Sequence, residues 1–232
     1  TKTILSQRGF HINVRPFINQ DNKVFLNEIF SKLDGFHSVS KAIQKKSNEI
    51  YASPLKIDHV VYSGFDIDSF RFKNTWNTNK KIQILSIGRD HWVKDYRTAL
   101  LTMSILKKNK ISFNYTVVGV NKSEELLFFV NELNLTDSVT FINSIPQEEV
   151  YEKMLDSDLF LLPSVEEGIA NVCIEAMLSK LPVLSTDCGG MSELIVDGET
   201  GFLVPTRNPK ALADKISIFS ELQEIDILQL VN

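Results

Sequence analysis

From residue 82 onward, short apolar runs alternate with longer stretches in which apolar residues recur every three or four positions. The short runs, at residues 82–87, 114–118, 139–141, 159–162, 183–185 and 202–204, are predicted as strands. The amphipathic stretches predict helices at residues 96–108, 123–133, 147–155, 171–179, 190–196 and 209–219. Such alternation is the sequence form of a parallel sheet covered by helices, an α/β, doubly wound, Rossmann-like fold. Right-handed crossovers in that fold bring the loops after the strands to one edge, where ligands bind. Arg89, Lys94, Gly119, Ser144, Glu167 and Gly189 all fall in or beside such loops.

Ahead of residue 82 the pattern changes. Residues 25–33 and 41–51 read as helices, and 35–38 and 56–61 as short strands. The polar residues 73–81 read as a linker, dividing a segment at 1–72 from a domain at 82–232. No internal repeat or low-complexity tract is seen.

Composition narrows the class. With 232 residues and 43% apolar content, the chain can bury a sizeable core as one large or two small domains. A net charge of −4 gives a nucleic-acid partner no electrostatic support. The two cysteines, Cys173 and Cys188, fit neither a disulfide framework nor a metal-site spacing, as expected in a reducing compartment. No apolar run approaches the ~20 residues of a membrane-spanning helix, and no signal peptide opens the chain. The expectation is a soluble, cytoplasmic protein, with peripheral contact at the inner face of a membrane left open.

The most informative stretch runs Pro163-Ser164-Val165-Glu166-Glu167-Gly168-Ile169-Ala170-Asn171-Val172-Cys173-Ile174-Glu175-Ala176-Met177. An apolar strand runs into a loop that opens an apolar helix, and the first amides of a helix have no partner of their own. They offer N–H groups and partial positive charge to an anion such as phosphate. Glu167 on the loop and Glu175 one turn into the helix can flank such a ligand, and carboxylates suit hydroxyls because they only accept hydrogen bonds. Two solvated acids favouring a helix start are the plainer reading of the same pair.

Beyond this helix stand Leu181-Pro182-Val183-Leu184-Ser185-Thr186-Asp187-Cys188-Gly189-Gly190-Met191-Ser192-Glu193 and Ile195-Val196-Asp197-Gly198-Glu199-Thr200-Gly201-Phe202-Leu203-Val204-Pro205. Together with Glu167 to Met177 they closely resemble the donor-binding core of retaining glycosyltransferases of the GT-B type, group 1 (family 4). Ile87-Gly88-Arg89-Asp90-His91-Trp92-Val93-Lys94 is similar to that family's Gly-Arg and Lys segment, with a weaker echo at Arg8-Gly9-Phe10-His11. The resemblance spans residues 33–219. It implies that residues 82–232 are the C-terminal donor domain and residues 1–72 the tail of an acceptor-side, partial second Rossmann-like domain, the chain stopping before the helix that usually crosses back.

The resemblance also implies roles. Arg89 and Lys94 would neutralise the donor diphosphate, a need that grows as the leaving group gains charge. Gly88 would allow the approach, Glu175 would accept from ribose hydroxyls, and Glu167 from hydroxyls of the transferred sugar. Gly168, Ile169, Ala170, Asn171 and Val172 would present backbone amides, and Gly189 a close backbone approach. Ser144 and Ile145 would touch the base. No metal and no cofactor is implied beyond the substrate, a UDP-, GDP- or ADP-sugar. The acceptor would be a glycan or lipid-linked glycan, the product a surface polysaccharide or glycoconjugate such as capsule or lipopolysaccharide, and the transfer one with retention. A binding-only fragment is the alternative. A dinucleotide oxidoreductase is disfavoured because the run from Gly88 to Val93 has one glycine instead of Gly-x-Gly-x-x-Gly.

Several residues stay plain. His91 and Trp92 read as loop packing, Asn171 equally as a helix N-cap, and Gly189 with Gly190 equally as a tight turn. His11 stands where the echoed motif usually carries Asp, and no role is assigned to it.

Overall fold

The computed structural model describes residues 1–53, 56–76 and 81–231. The chain divides into two compact units, one of Thr1–Phe65, Glu166–Asn171 and Cys188–Leu194, the other of Asp66–Val165, Val172–Asp187 and Ile195–Asn232. The predicted linker carries residues 77–80 outside the described ones. Of its described part, Lys73 donates to the Leu155 carbonyl at 2.9 Å and pairs with Asp158, and Trp76 is buried, all within the larger unit.

The smaller unit holds a three-stranded parallel sheet with helices between its strands. In chain order it holds β1 (Ile4–Gln7), α1 (Phe10–Asn13), α2 (Arg15–Ile18), α3 (Gln20–Ser31), β2 (Gly35–Ser38), α4 (Lys41–Ile50) and β3 (Ile57–Val60). Its three strands pair in parallel in the order β1-β2-β3. α3 starts where the Asn19 side chain accepts from the Asp21 and Asn22 amides, and α4 where Ser40 Oγ accepts from Ile43 N. Their apolar faces bury Phe30, Phe36, Ile43 and Ile50 in one core. Gln7, buried in β1, donates to Ser47 Oγ at 2.7 Å and accepts from Ser38 Oγ at 2.9 Å, so its burial leaves neither end unsatisfied.

The larger unit continues with β4 (Ile82–Ile87), α5 (Tyr96–Lys108), β5 (Phe113–Val118), α6 (Glu124–Glu132), β6 (Val139–Ile142), α7 (Gln147–Leu155) and β7 (Leu159–Leu162). After α8 (Asn171–Leu178), whose first residue belongs to the smaller unit, come β8 (Val183–Thr186), β9 (Phe202–Val204), α9 (Pro209–Glu221) and α10 (Glu224–Val231). Six parallel strands lie in the order β6-β5-β4-β7-β8-β9. Leu159, Phe160, Leu161 and Leu162 of β7 are all buried, which is why that strand reads as an unbroken apolar run. The chain leaves β4 in one direction and returns beside it as β7, so the order reverses between these two strands. That switch point, at the carboxyl ends, is where an open α/β sheet receives its ligand.

One expectation needs correction and another a refinement. The helix predicted at residues 190–196 is only a single 3₁₀ turn, Met191–Glu193, because Glu193 turns its carboxylate to the start of α4, accepting from Lys41 N at 2.8 Å and Ala42 N at 2.9 Å. Trp92, read as packing with His91, does stack on that ring but is 54% exposed.

Candidate functional site

Three groups of the predicted residues are assembled locally. The first follows β4. Tyr96, the first residue of α5, donates from its hydroxyl to the Gly88 carbonyl at 2.8 Å, and Gly88 N donates to Val118 O at 2.8 Å. A Cβ on Gly88 would lie 3.0 Å from Lys94 Cε, so the aliphatic stem of Lys94 rests against that glycine. From the other side Gly119, at φ 97°, comes so close that a Cβ there would meet the Gly88 carbonyl at 2.8 Å. The turn Trp92–Lys94 is fixed at both ends: His91 Nδ1 accepts from Val93 N, and Asp95, at φ 46°, accepts from Thr98 N and Oγ1 to begin α5. Val165 N, beyond β7, donates to Val93 O at 2.8 Å and ties the loops on either side of the switch point together. Arg89 is exposed on this pinned loop. A fixed loop presents cations without reorganisation, which is what a diphosphate site requires.

The second group, Ser144 and Ile145 after β6 and Glu175 on α8, is linked through Gln147, whose side chain hydrogen-bonds Glu175; no hydrogen bond or ion pair among the described residues ties Ser144 or Ile145 themselves to Glu175. Ser144 is exposed and Ile145 half-buried, and Gln147 two residues later opens α7. Burial pushes the Glu175 carboxyl above its ordinary value, and a hydrogen bond with the Gln147 side chain pulls it partway back. A carboxyl harder to ionise in the folded chain than in the unfolded one contributes stability that is present in acid. That contribution is lost as pH rises through the raised folded value. Glu175→Gln is therefore expected to gain in melting temperature over the unchanged chain as pH rises from the ordinary glutamate range towards neutrality. Thermal unfolding across pH checks this, and a gap that does not vary with pH would mean the carboxyl is not desolvated.

The third group lies in the smaller unit. Gly189, at φ 54°, passes so close to the Glu167 carbonyl that a Cβ there would overlap it, and Gly190 N donates to Gly168 O at 2.9 Å. Gly168 is itself buried against the Arg8 carbonyl and Val39. Ile169 is half-buried, Ala170 buried, and Asn171 exposed as the first residue of α8; Val172, half-buried, already belongs to the larger unit. Asn13, to which sequence reasoning gave no role, donates from Nδ2 to Glu166 Oε1 at 2.9 Å and to the Glu167 carbonyl at 3.4 Å. Burial raises the Glu166 carboxyl, opposed by that Asn13 bond and by the charge of Lys46. These side chains border a cavity of ≈ 220 Å³ that also takes in Glu49 and Gly189. Asn13 and Glu166 stand 153 positions apart, and no local pattern links them. Gln147 and Glu193 likewise show their roles only in three dimensions.

Residues 66–226 match the sequence model of the family described as Glycosyl transferases group 1. The chain belongs to this family. Among curated relatives, it is 29% identical over 224 residues to the amylovoran biosynthesis glycosyltransferase AmsK of Erwinia amylovora, covering 94% of this chain and 54% of that protein. It is 30% identical over 175 residues to WcaL of Escherichia coli (strain K12), provisionally named a colanic acid biosynthesis glycosyltransferase, covering 72% of this chain and 43% of that protein. The chain thus spans about half the length of these relatives. Its fold is that of the Anabaena protein Alr3699/HepE, solved with UDP and glucose, at a TM-score of 0.85 and 19% identity over 100% of this chain and 65% of that one. The parallel sheets are thus the Rossmann-like sheets of the GT-B architecture.

Proposed function

We propose that the chain carries the donor-binding part of a group 1 glycosyltransferase that moves a sugar from a nucleotide-sugar to a glycan or lipid-linked acceptor, with retention of configuration, in cell-surface polysaccharide or glycoconjugate biosynthesis. The observation that carries the reading is the pinned loop after β4, with Lys94 laid over Gly88 beside the sheet's switch point. The names of AmsK and WcaL favour polysaccharide as the product class, and the UDP and glucose of the HepE structure favour a nucleotide-sugar donor.

In this reading Arg89 and Lys94 hold the diphosphate and neutralise the charge that grows on it as the glycosidic bond breaks. Glu175 accepts from the ribose hydroxyls, and Ser144 and Ile145 border the base. Glu167 accepts from hydroxyls of the transferred sugar, and Gly168, Ile169, Ala170, Asn171 and Val172 offer backbone amides, with Gly189 allowing close passage. The acceptor hydroxyl attacks from the face the diphosphate leaves, and the leaving phosphate takes its proton. The two cations supply the charge neutralisation without a metal. Residues 1–72 serve as part of an acceptor-side domain, 73–81 as a linker, and 82–232 as the donor domain, working in the cytoplasm or at the inner face of a membrane. No helix among the described residues is long and apolar enough to cross one.

A thermal-shift screen against UDP-, GDP- and ADP-sugars tests the donor. At a hundredfold excess over Kd a ligand adds about 2.7 kcal/mol, on the order of 5–10 °C in melting temperature for a chain of this size. One nucleotide class should shift the transition, and silence from all three would remove the reading. Because the chain spans about half of its relatives, binding without transfer is the second reading, and a transfer assay with acceptor extracts separates the two.

A further inference from the structure

The turn between β4 and α5 also contributes to a cavity that the donor reading does not use. Asp90, His91, Trp92, Arg97, Glu125 and Arg207 border this space of ≈ 310 Å³ in the larger unit, and Arg89, Lys94 and Glu175 do not line it. Its volume is at the lower end of small-molecule sites, about 300–1,000 Å³. The Trp92 ring is stacked on His91, with centroids 5.8 Å apart and planes 30° from parallel. His91 is held in turn by the Val93 amide, so the exposed indole is set in place before any ligand arrives. Around it the polar groups are mixed in sign. Arg97 is 3.4 Å from Glu125 and packs over Phe129, while Arg207 stands at φ 54° on the loop between β9 and α9.

We propose that this cavity is a saccharide subsite, holding one pyranose ring of a glycan chain against Trp92. A pyranose has an apolar C–H face and a rim of hydroxyls. An indole gives the first a large, rigid contact at small entropic cost. Carboxylates accept from the rim and guanidinium groups donate to it. A phosphate or polynucleotide would meet Asp90, Asp95 and Glu125 beside the two arginines, which disfavours an anionic ligand. The subsite does not depend on the donor assignment.

Saturation-transfer NMR on the whole chain tests it, with cellotetraose and maltotetraose as probes. At least one probe should receive saturation on its ring C–H protons with a saturable dependence on concentration. Trp92→Ala should weaken that probe roughly tenfold, while Trp92→Phe, which keeps an aromatic face, keeps most of the affinity. Both variants should melt as the unchanged chain does. No saturation from either probe, unchanged affinity in Trp92→Ala, or equal loss in the alanine and phenylalanine variants overturns the proposal. Nucleotide-sugar binding without tetrasaccharide binding overturns the subsite alone; tetrasaccharide binding without any nucleotide shift overturns the donor reading alone.

Discussion

Arg89→Ala and Lys94→Ala are each expected to weaken nucleotide-sugar binding by roughly tenfold to a hundredfold while leaving the protein folded. A hydrogen bond to a charged group contributes about 1.5–3 kcal/mol, and about 1.4 kcal/mol is a factor of ten in affinity. The two residues should differ in what the loss consists of. Arg89 is exposed on the loop, so its removal takes away a planar fork suited to two phosphate oxygens and little packing. Lys94 is half-buried with its stem against Gly88, so its alanine variant also uncovers that glycine and loosens the turn. Lys94→Arg should restore less than charge alone predicts, because the longer, planar head has to leave from the same narrow stem position. Loss of the ligand-induced thermal shift with an unchanged ligand-free melting temperature is the expected pattern for Arg89→Ala. A full shift in either alanine variant would place the diphosphate elsewhere.

Gly189→Ala is expected to have the largest effect on stability. Two costs add at this position. The left-handed backbone at φ 54° disfavours any side chain by about 1–2 kcal/mol, and the new Cβ overlaps the Glu167 carbonyl, so the loops must separate at an overpacking cost of about 1–3 kcal/mol. Their sum corresponds to a fall of about 5–15 °C in melting temperature. Gly64→Ala makes the control, because a Cβ there meets nothing within 4 Å. It should melt close to the unchanged chain. Calorimetric melting of both variants decides the matter, and equal melting temperatures would mean that the loop carrying Glu167 is not held by Gly189.

Much of the larger unit was legible because its elements are set by short-range patterns. Residues 82–87, 159–162 and 202–204 are apolar runs cut off by polar or turn residues, and each strand ends where its run ends. The helices at 96–108 and 147–155 also coincide with their apolar period. The first 19 residues were less readable for a physical reason. Strand β1 buries only Gln7, and α1 and α2 are four residues each, too short to display a period. In α10 the apolar residues lie too densely for a helical stripe to stand out.

The site divides in the same way. The tight turn offered by the Gly-Gly loop was visible, since Gly189 stands at φ 54° where a Cβ would overlap the Glu167 carbonyl. Residues whose part depends on distant partners were not. Asn13 reaches Glu166 and the Glu167 carbonyl across more than 150 positions, and Glu193 caps a helix in another segment of the chain. Trp92 went the opposite way: an aromatic residue in a loop suggests packing, but its neighbours, Asp90, Arg97 and Arg207, leave it open at the edge of a polar cavity.

Donor binding in the proposed reading rests on the two cations of the loop after β4 gripping the diphosphate. Isothermal titration of the nucleotide-sugar into the unchanged chain and into an Arg89→Ala, Lys94→Ala double variant tests it most directly. A saturable isotherm is expected for the first and no measurable heat of binding for the second, with both proteins melting cooperatively. An isotherm of undiminished affinity from the folded double variant would contradict it.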